Sequence, residues 1–577
     1  MWVGHSCPTQ FRSVVPPEQQ NSERSLARAF HITVDSCCEL PVYRLTALLL
    51  LAPIVPARAF AEHNHEHSLT EQQLGAVHFP TSCAPAVQSE FERGVALLHS
   101  FAFETAEATF RRVAQDDPKC AMAHWGIARS FWRWGMPDAA TREQGWREAS
   151  LAMSLNSPTR REREYIASVA ALYRNPTEDD KNRWQRYLQA MQRLHRDYPN
   201  DDEATAFYAY ALIGADRDDD SRHEKRRQAA NLLEPLFAKD PNHPGVAHYL
   251  IHAYDKPDLA KLGLPAARRY AFIAPAAPHA LHMPSHIFAQ LGMWQEDIRS
   301  NLASLAASRN AEGSHMEDQG HEYHAMEFLM YAYLQSGREA EASKLLDEVR
   351  SLSKVKSMYG DSSDPQVYAL VSYSAAYVLE LHQWGQAAEL PLVPGTAFGD
   401  DIITYLARAI GAARQGDATR ARENVVQIDS IDKQVVARKL FFAGWAEQEK
   451  QEAEAWADHA EGNNHEALHL LRGIADKQRS GVFGASGDLP AREMLADMLL
   501  DMHRPEQALT EYIAALKINP NRFDSVYGAA RAAELAKHPH EAAGYFQQLM
   551  NICAGGNSTR PELAYARNFL SQVAAGH

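Results

Sequence analysis

The chain has 577 residues, 45% hydrophobic and 23% charged, with a formal net charge of −15. This is the composition of a folded protein with more length than one compact core uses, so several domains or a repeat array are expected. Lys and Arg form no concentrated run that could track phosphates, which argues against a nucleic-acid partner.

One strongly apolar stretch, Leu45 to Val55, is about half the roughly 20 residues a membrane-crossing helix needs. Arg44 precedes it, and Ala57-Arg58-Ala59 and Ala59-Phe60-Ala61 follow as small-x-small sites. That is the layout of a secretory signal. The sequence therefore predicts a periplasmic or secreted protein with no transmembrane segment in its mature chain. Residues 1–41 show no periodicity, and the expected organisation has 1–61 as a disordered extension plus signal, with translation starting at Val42. The segment Glu62-His63-Asn64-His65-Glu66-His67 opens a histidine-rich linker, 62–80, that is either a solvated tail or a scavenger of copper, nickel or zinc.

Cys7, Cys37 and Cys38 precede the signal, leaving Cys83, Cys120 and Cys553 in the mature chain. Cys83 and Cys120 each stand just before a predicted helix, so they pair in an oxidising compartment or remain buried thiols.

The rest of the chain repeats. Ala496, Ala508, Tyr512, Ala515 and Pro520 are followed 34 residues later by Ala530, Ala542, Phe546 and Leu549, and Gly94, Ala106, Phe110, Val113 and Pro118 show the same order. Further copies carry Ala229, Leu233, Leu236 and Pro241; Ala266, Tyr270 and Ile273; Gly337, Ala342, Leu346 and Val349; Gly416, Ala421, Val425 and Ile428; and Gly462, Ala467, Leu471 and Ile474. These residues resemble the tetratricopeptide repeat, in a bacterial exported form. The resemblance implies an all-α solenoid, a right-handed superhelix of roughly ten helical hairpins. The spacing breaks at 138–160, 217–226 and 255–265, which predicts loops or inserts. The Pro/Gly-rich stretch 393–401 reads as a hinge between superhelices at 81–392 and 402–577.

Histidine is the unusual residue, with 27 in all. His248 and His252 are four apart, and His279, His282 and His286 are spaced three and four, so each set shares one face of a helix. His321, His324 and Glu327 follow on the next first helix. By resemblance, first helices line a concave groove, and the named residues, with Glu203 and Tyr210 upstream, take its ligand-facing positions. His248, His252, His279, His282 and His286 are candidate ligands for a transition metal such as zinc or copper. Glu203, Tyr210, His324 and Glu327 are candidate ligand-binding residues. A metal-free surface gripping a peptide is the competing reading of the same histidines, and packed polar residues are a third. Pro284 is expected to kink the helix that presents the cluster.

His465-Glu466-Ala467-Leu468-His469 matches a zinc-protease motif, with Glu493 as a third ligand. Repeat register explains it better, since Ala467 is a close-packing position. No catalytic residue is assigned. Arg492, Glu493 and Arg522 read as caps and interhelix pairs, with carboxylate binding by the arginines left open. The leading expectation is a scaffold that binds a peptide or protein partner in its groove, with or without a metal. The alternatives are a metalloenzyme using Glu327 or Glu322 as base, and a metal storage or delivery protein.

Overall fold

The computed structural model describes residues 70–575 apart from 134–137, 176–177, 217–221, 311–319, 353–363, 441 and 479–488. The expected extension and signal, and Glu62 to His67, lie outside the described residues. The described part is all α: helices follow one another with short connections, and no strand occurs among these residues. No helix among them is long and apolar enough to cross a membrane.

Successive helices pack antiparallel into twelve hairpins, from Gln88–His99 with Phe103–Asp116 to Phe523–Leu535 with Pro539–Ile552, before a closing helix Pro561–Ala575. Each hairpin packs mainly on its neighbours in sequence, which makes the fold a solenoid. The repeat anchors explain the packing. Phe110 fills the space between helices of adjacent hairpins, and a Cβ on Gly94 or Gly126 would come within 2.7 or 2.4 Å of its ring. Ala106, Val113, Ala508, Tyr512, Ala515, Ala542, Phe546 and Leu549 are likewise buried.

Three expectations are corrected. Residues 138–160 are mostly a helix, Ala139–Ser154, capped by the Asp138 carboxylate on the Thr141 N–H. The stretch 255–265 is a short loop, and Ala260–Ile273 takes Pro265 early in the helix, where its missing N–H costs least. The connection at 393–401 does not divide the core, because Val371, Leu379, Ile402 and Leu406 belong to one buried cluster that runs on to Ala566. The part of the expected linker from Thr70 onward is also packed: Phe79 is fully buried against Phe91, Trp125 and Tyr165.

The C-terminal hairpins return onto the middle of the solenoid. The Trp294 indole N–H donates to the Asn521 carbonyl at 2.8 Å, and the Phe523 N–H donates to Gln335 at 2.9 Å. Arg522 is buried there, bidentate on Glu493 at 2.8 and 2.9 Å, donating to the Tyr331 hydroxyl at 2.8 Å and facing Glu380 at 2.8 Å. Burial, reinforced by the charges of Asp524 and Glu493 and only partly offset by Arg522, pushes the Glu380 carboxyl up to about 7. Arg492 instead holds Asp476 and Glu511. Both arginines are therefore used inside the chain.

Candidate metal centre

The histidines come from the first helices of three consecutive hairpins: Pro244–Tyr254 carries His248 and His252, and Gly320–Gln335 carries His321 and His324. Between them the middle helix breaks at Pro284 into Pro278–His282 and Pro284–Gln290. His279 and His282 lie on one side of the break and His286 on the other.

Two trios result. One nitrogen from each of His248, His252 and His279 lies within 4.8 Å of the others, and His282, His286 and His324 form a second group of the same kind. The trios adjoin, with ring centroids of His279 and His282 6.1 Å apart and those of His252 and His286 6.2 Å apart. His321, not among the expected ligands, is buried with its ring centroid 4.8 Å from that of His279.

The expected groove-facing histidines are not on an open surface. His248, His279, His282 and His286 are 0%, 4%, 1% and 9% exposed, too little for a peptide to grip. His252 and His324, one from each trio, are the half-buried members. Burial lowers the basicity of His248, to about 3, despite its bond to a carbonyl. His252, His279 and His282 fall well below the usual imidazole range for the same reason, reinforced by neighbouring imidazoles. Burial also lowers His324, against the opposing pull of Glu327.

The hydrogen bonds on the far side of each ring decide where its lone pair points. His286 Nδ1 lies 2.8 Å from Asp255 Oδ2. Burial would raise Asp255, but the histidine and Arg226 hold it below the usual carboxylate range. The carboxylate only accepts, so Nδ1 carries a proton and, in the neutral ring, Nε2 is the atom with the lone pair. His282 Nδ1 lies 2.7 Å from Asn301 Oδ1, and Asn301 Nδ2 donates to the Asp297 carbonyl at 3.1 Å, which fixes the amide orientation. His282 Nε2 is therefore a lone pair too. These two nitrogens are 3.1 Å apart.

In the first trio, His248 Nδ1 donates to the His99 carbonyl at 2.6 Å, which turns His248 Nε2 toward His279 Nε2 at 3.0 Å. His279 Nδ1 is buried without a hydrogen bond. Two nitrogens bound to one ion at about 2.0–2.1 Å stand about 2.8–3.4 Å apart for angles of about 90–110°. Both Nε2 pairs have that separation.

A phenyl ring backs each trio. Phe101 packs on His248, His252 and His279, with centroids 4.4–5.7 Å apart, and Phe328 packs on His282, His286 and His324 at 4.7–5.3 Å. Phe101 has φ +55° at a turn where later hairpins carry Gly292, Gly337, Gly416 and Gly462. A phenylalanine in this left-handed conformation costs about 1–2 kcal/mol, which its ring contacts with the histidines offset.

The other expected site residues fall elsewhere. Glu203 is buried between His99 Nε2 at 2.8 Å and His243 Nε2 at 2.9 Å. Burial opposes its ionisation, but the two histidines hold it well below the usual carboxylate range. Tyr210 is buried with the Arg129 guanidinium 4.7 Å from its ring centroid. Both lie on the helix Asp202–Gly214, where Phe101, Trp184 and Tyr249 close over Tyr210 and the two histidines take both oxygens of Glu203. Glu327 pairs with His324 at 3.3 Å, and Glu322 with Arg309 at 2.8 Å. His465 and His469 are exposed while Glu493 is committed to Arg522, so the protease-like motif assembles no site. The sulfurs of Cys83 and Cys120 stand 2.00 Å apart as a disulfide.

Sequence spacing named five of the six trio members as candidates and placed His324 beside them. It missed His99, Asp255 and Asn301, which lie at a helix end, in a loop and on a second helix, where no periodicity marks them.

No family model matches the chain, and no curated protein matches it. Among solved structures, the human IFIT1 dimer with m7Gppp-AAAA is 11% identical over 79% of this chain and 95% of that one, with a TM-score of 0.35. An IFIT1 monomeric mutant with Gppp-AAAA is 11% identical over 84% and 98%, with a TM-score of 0.32. Likeness at this level carries nothing to the site, so the centre has to be judged on its own geometry.

Proposed function

We propose that this all-α solenoid is a transition-metal-binding protein whose centre is built from His248, His252, His279, His282, His286 and His324. The observation that carries the reading is the pair of lone pairs on His282 and His286, held 3.1 Å apart by groups that can only accept. Such an arrangement repels unless a cation lies between the nitrogens. A proton would serve these two alone. A metal ion also accounts for His324, whose ring centroid is 4.5 Å from that of His282 and 5.6 Å from that of His286. Anchoring the non-ligating nitrogen to a carboxylate, amide or carbonyl is how metal-bound histidines are held in register.

A peptide-binding role for these histidines is not supported by their burial. The solenoid surface leaves a protein partner open, but a fold of this type serves many unrelated partners. The Cys83–Cys120 pairing supports export to an oxidising compartment, as the apolar segment Leu45 to Val55 does.

The test is elemental analysis of the full chain purified without a histidine tag from metal-replete growth, beside His279→Ala/His282→Ala/His286→Ala. Stoichiometric metal in the first and its loss in the second is expected. Less than about a tenth of an equivalent of any transition metal in the unaltered protein would defeat the proposal.

A further inference from the structure

The geometry points to a second ligand site, a cavity beside the 389–393 segment that takes one small neutral amphiphile: a molecule with an apolar body and a single hydroxyl or carbonyl group. The helices that build it carry none of the six histidines, so it stands independently of the proposed metal centre.

The cavity follows from an irregularity in the repeat. Second helices in this solenoid run from 12 to 20 residues, with one exception. Trp384–Ala388 has five. Pro391 follows closely, and a residue that precedes a proline is disfavoured in helical backbone, so Leu390 leaves the helix. The chain then passes through 390–393 with neither helix nor turn. The turns that a full-length second helix would add are missing. A cavity of about 430 Å³ remains between Glu339–Ser351, Pro365–Glu380, the 389–393 segment and the start of Asp401–Arg414. That volume is in the range of small-molecule sites.

Its walls are largely apolar, with Leu346, Val371, Val378 and Leu390 buried among them. Of the uncharged polar residues that line it, Ser343, Ser374, Tyr377 and Gln386 are half-buried or exposed, so water reaches them. Thr404 differs. It is 1% exposed, and its Oγ1 has no hydrogen-bond partner among the described residues. A helical serine or threonine ordinarily turns its hydroxyl back onto a carbonyl of the preceding turn. Thr109, Ser130, Ser336, Ser372 and Thr510 all do so here. The Thr404 hydroxyl makes no such bond, and the residue lines the cavity. Leaving a buried hydroxyl unpaired is costly, and a ligand atom in the cavity would supply the missing partner.

The charged residues at the cavity set the class of ligand. Arg350 pairs with Asp347 at 2.5 Å and Glu389 pairs with Arg420, so neither is an uncommitted counter-charge. A charged head group at Thr404 would be buried beside a single hydroxyl, which does not compensate an ion. The head group is therefore neutral. Oγ1 both donates and accepts, so a hydroxyl or a carbonyl satisfies it. The rest of the molecule is apolar, to match the walls. Leu392, between two lining residues, is 40% exposed and continues the apolar surface outward.

The experiment titrates the full chain with 2-naphthol, with naphthalene, which has the same frame without the hydroxyl, and with 2-naphthoate, which carries a charge. Ligand fluorescence reads binding and equilibrium dialysis its stoichiometry. The expected result is saturable binding of one 2-naphthol per chain, with 2-naphthoate weaker by about tenfold or more. Thr404→Val keeps the side-chain shape and removes the hydroxyl. It should shift the ratio of naphthol to naphthalene affinity by about fivefold toward naphthalene. It should also melt no lower than the unaltered chain, because no internal hydrogen bond is lost. Leu370→Trp and Val393→Trp fill the cavity from two different walls; each, checked for an unchanged helical spectrum, should abolish 2-naphthol binding and leave metal content as it is. No saturable binding of 2-naphthol, or binding that survives both filling variants, would overturn the site. Tighter binding of 2-naphthoate than of 2-naphthol would overturn the neutral head group, and a lowered melting temperature in Thr404→Val would overturn the unpaired hydroxyl. Self-association that Leu392→Asp abolishes, in a chain that binds no probe, would assign the cavity to a second copy instead.

Discussion

Asp255→Asn takes one negative charge from beside the histidines and keeps the side-chain shape. The asparagine Oδ1 can still accept from His286 Nδ1, 2.8 Å away in the native chain. Its new N–H₂ would face Gln290, whose Nε2 now donates to Asp255 at 3.1 Å and whose Oε1 is buried without a partner, so the Gln290 amide can turn over and accept. The fold is therefore expected to survive. An ion on the far side of the His286 ring lies about 6 Å from the Asp255 carboxylate. At an effective dielectric of about 20, attraction of a single positive charge over that distance is worth about 2.8 kcal/mol. Asp255 is slightly exposed and screening reduces the figure, which gives a loss of about ten- to a hundredfold in affinity, the range seen when a partner of a metal-bound histidine is changed. Competition against a chromophoric chelator measures it. A variant that folds normally and binds within about threefold of the native protein would refute the claim that Asp255 compensates the ion.

Three other outcomes follow from the packing. Gly245→Ala should weaken metal binding about tenfold in the same chelator assay without unfolding the chain, because the new Cβ would meet His99 Nδ1 at 2.3 Å and displace the residue whose carbonyl holds His248. Arg522→Met should destabilise the protein by about 3–5 kcal/mol in denaturant titration, by leaving Glu380 and Glu493 buried without their cation. Reducing the Cys83–Cys120 disulfide, or replacing both cysteines by serine, should cost about 3–4 kcal/mol for a closed loop of 37 residues, read as a lower melting temperature with reductant.

The pH dependence at the same return contact has a definite sign. The Glu380 carboxyl sits at about 7 in the folded chain against 4.5 as its ordinary value. The folded state thus binds more protons than the unfolded one between these limits, and stability falls as pH rises from about 4.5 to 7. The fall from this group is at most about 3.4 kcal/mol. Asp497, pushed up to about 7, and Asp524, to about 6, both by burial first, act in the same window. Glu380→Gln should flatten part of the slope in denaturant titrations across that range. An unchanged slope would mean that Arg522 keeps Glu380 ionised throughout.

How far the sequence reached follows from what repeats in it. Ala106, Phe110 and Val113 recur at fixed spacing because each hairpin solves the same packing problem, so the all-α solenoid could be read directly. His248, His252, His279, His282 and His286 were legible for a related reason: residues three or four apart on a helix share a face whatever surrounds them. Whether that face is open is a property of neighbouring hairpins, and no spacing within one helix encodes it. Glu203 and Tyr210 share the same kind of face, yet one is held by His99 and His243 and the other lies under Arg129.

The residues that turn a row of histidines into a candidate metal centre are the ones the repeat does not specify. His99 ends the first helix of the first hairpin, Asp255 lies in the loop after the helix of His248 and His252, and Asn301 is on the second helix behind His282. His99 and Asp255 meet their histidines only when separate hairpins stack, across 149 and 31 residues of chain, and Asn301 meets His282 when one hairpin closes, across 19. Together they fix three ring orientations, and fixed orientation is what separates a coordinating set from a buried polar layer. Free rings would turn to hydrogen-bond other groups; His282 and His286 are held so that their Nε2 atoms face each other and need a shared cation. A stack of hairpins suits this purpose, since each unit adds candidate ligands on its first helix while its own second helix and the neighbouring hairpins supply the groups that aim them.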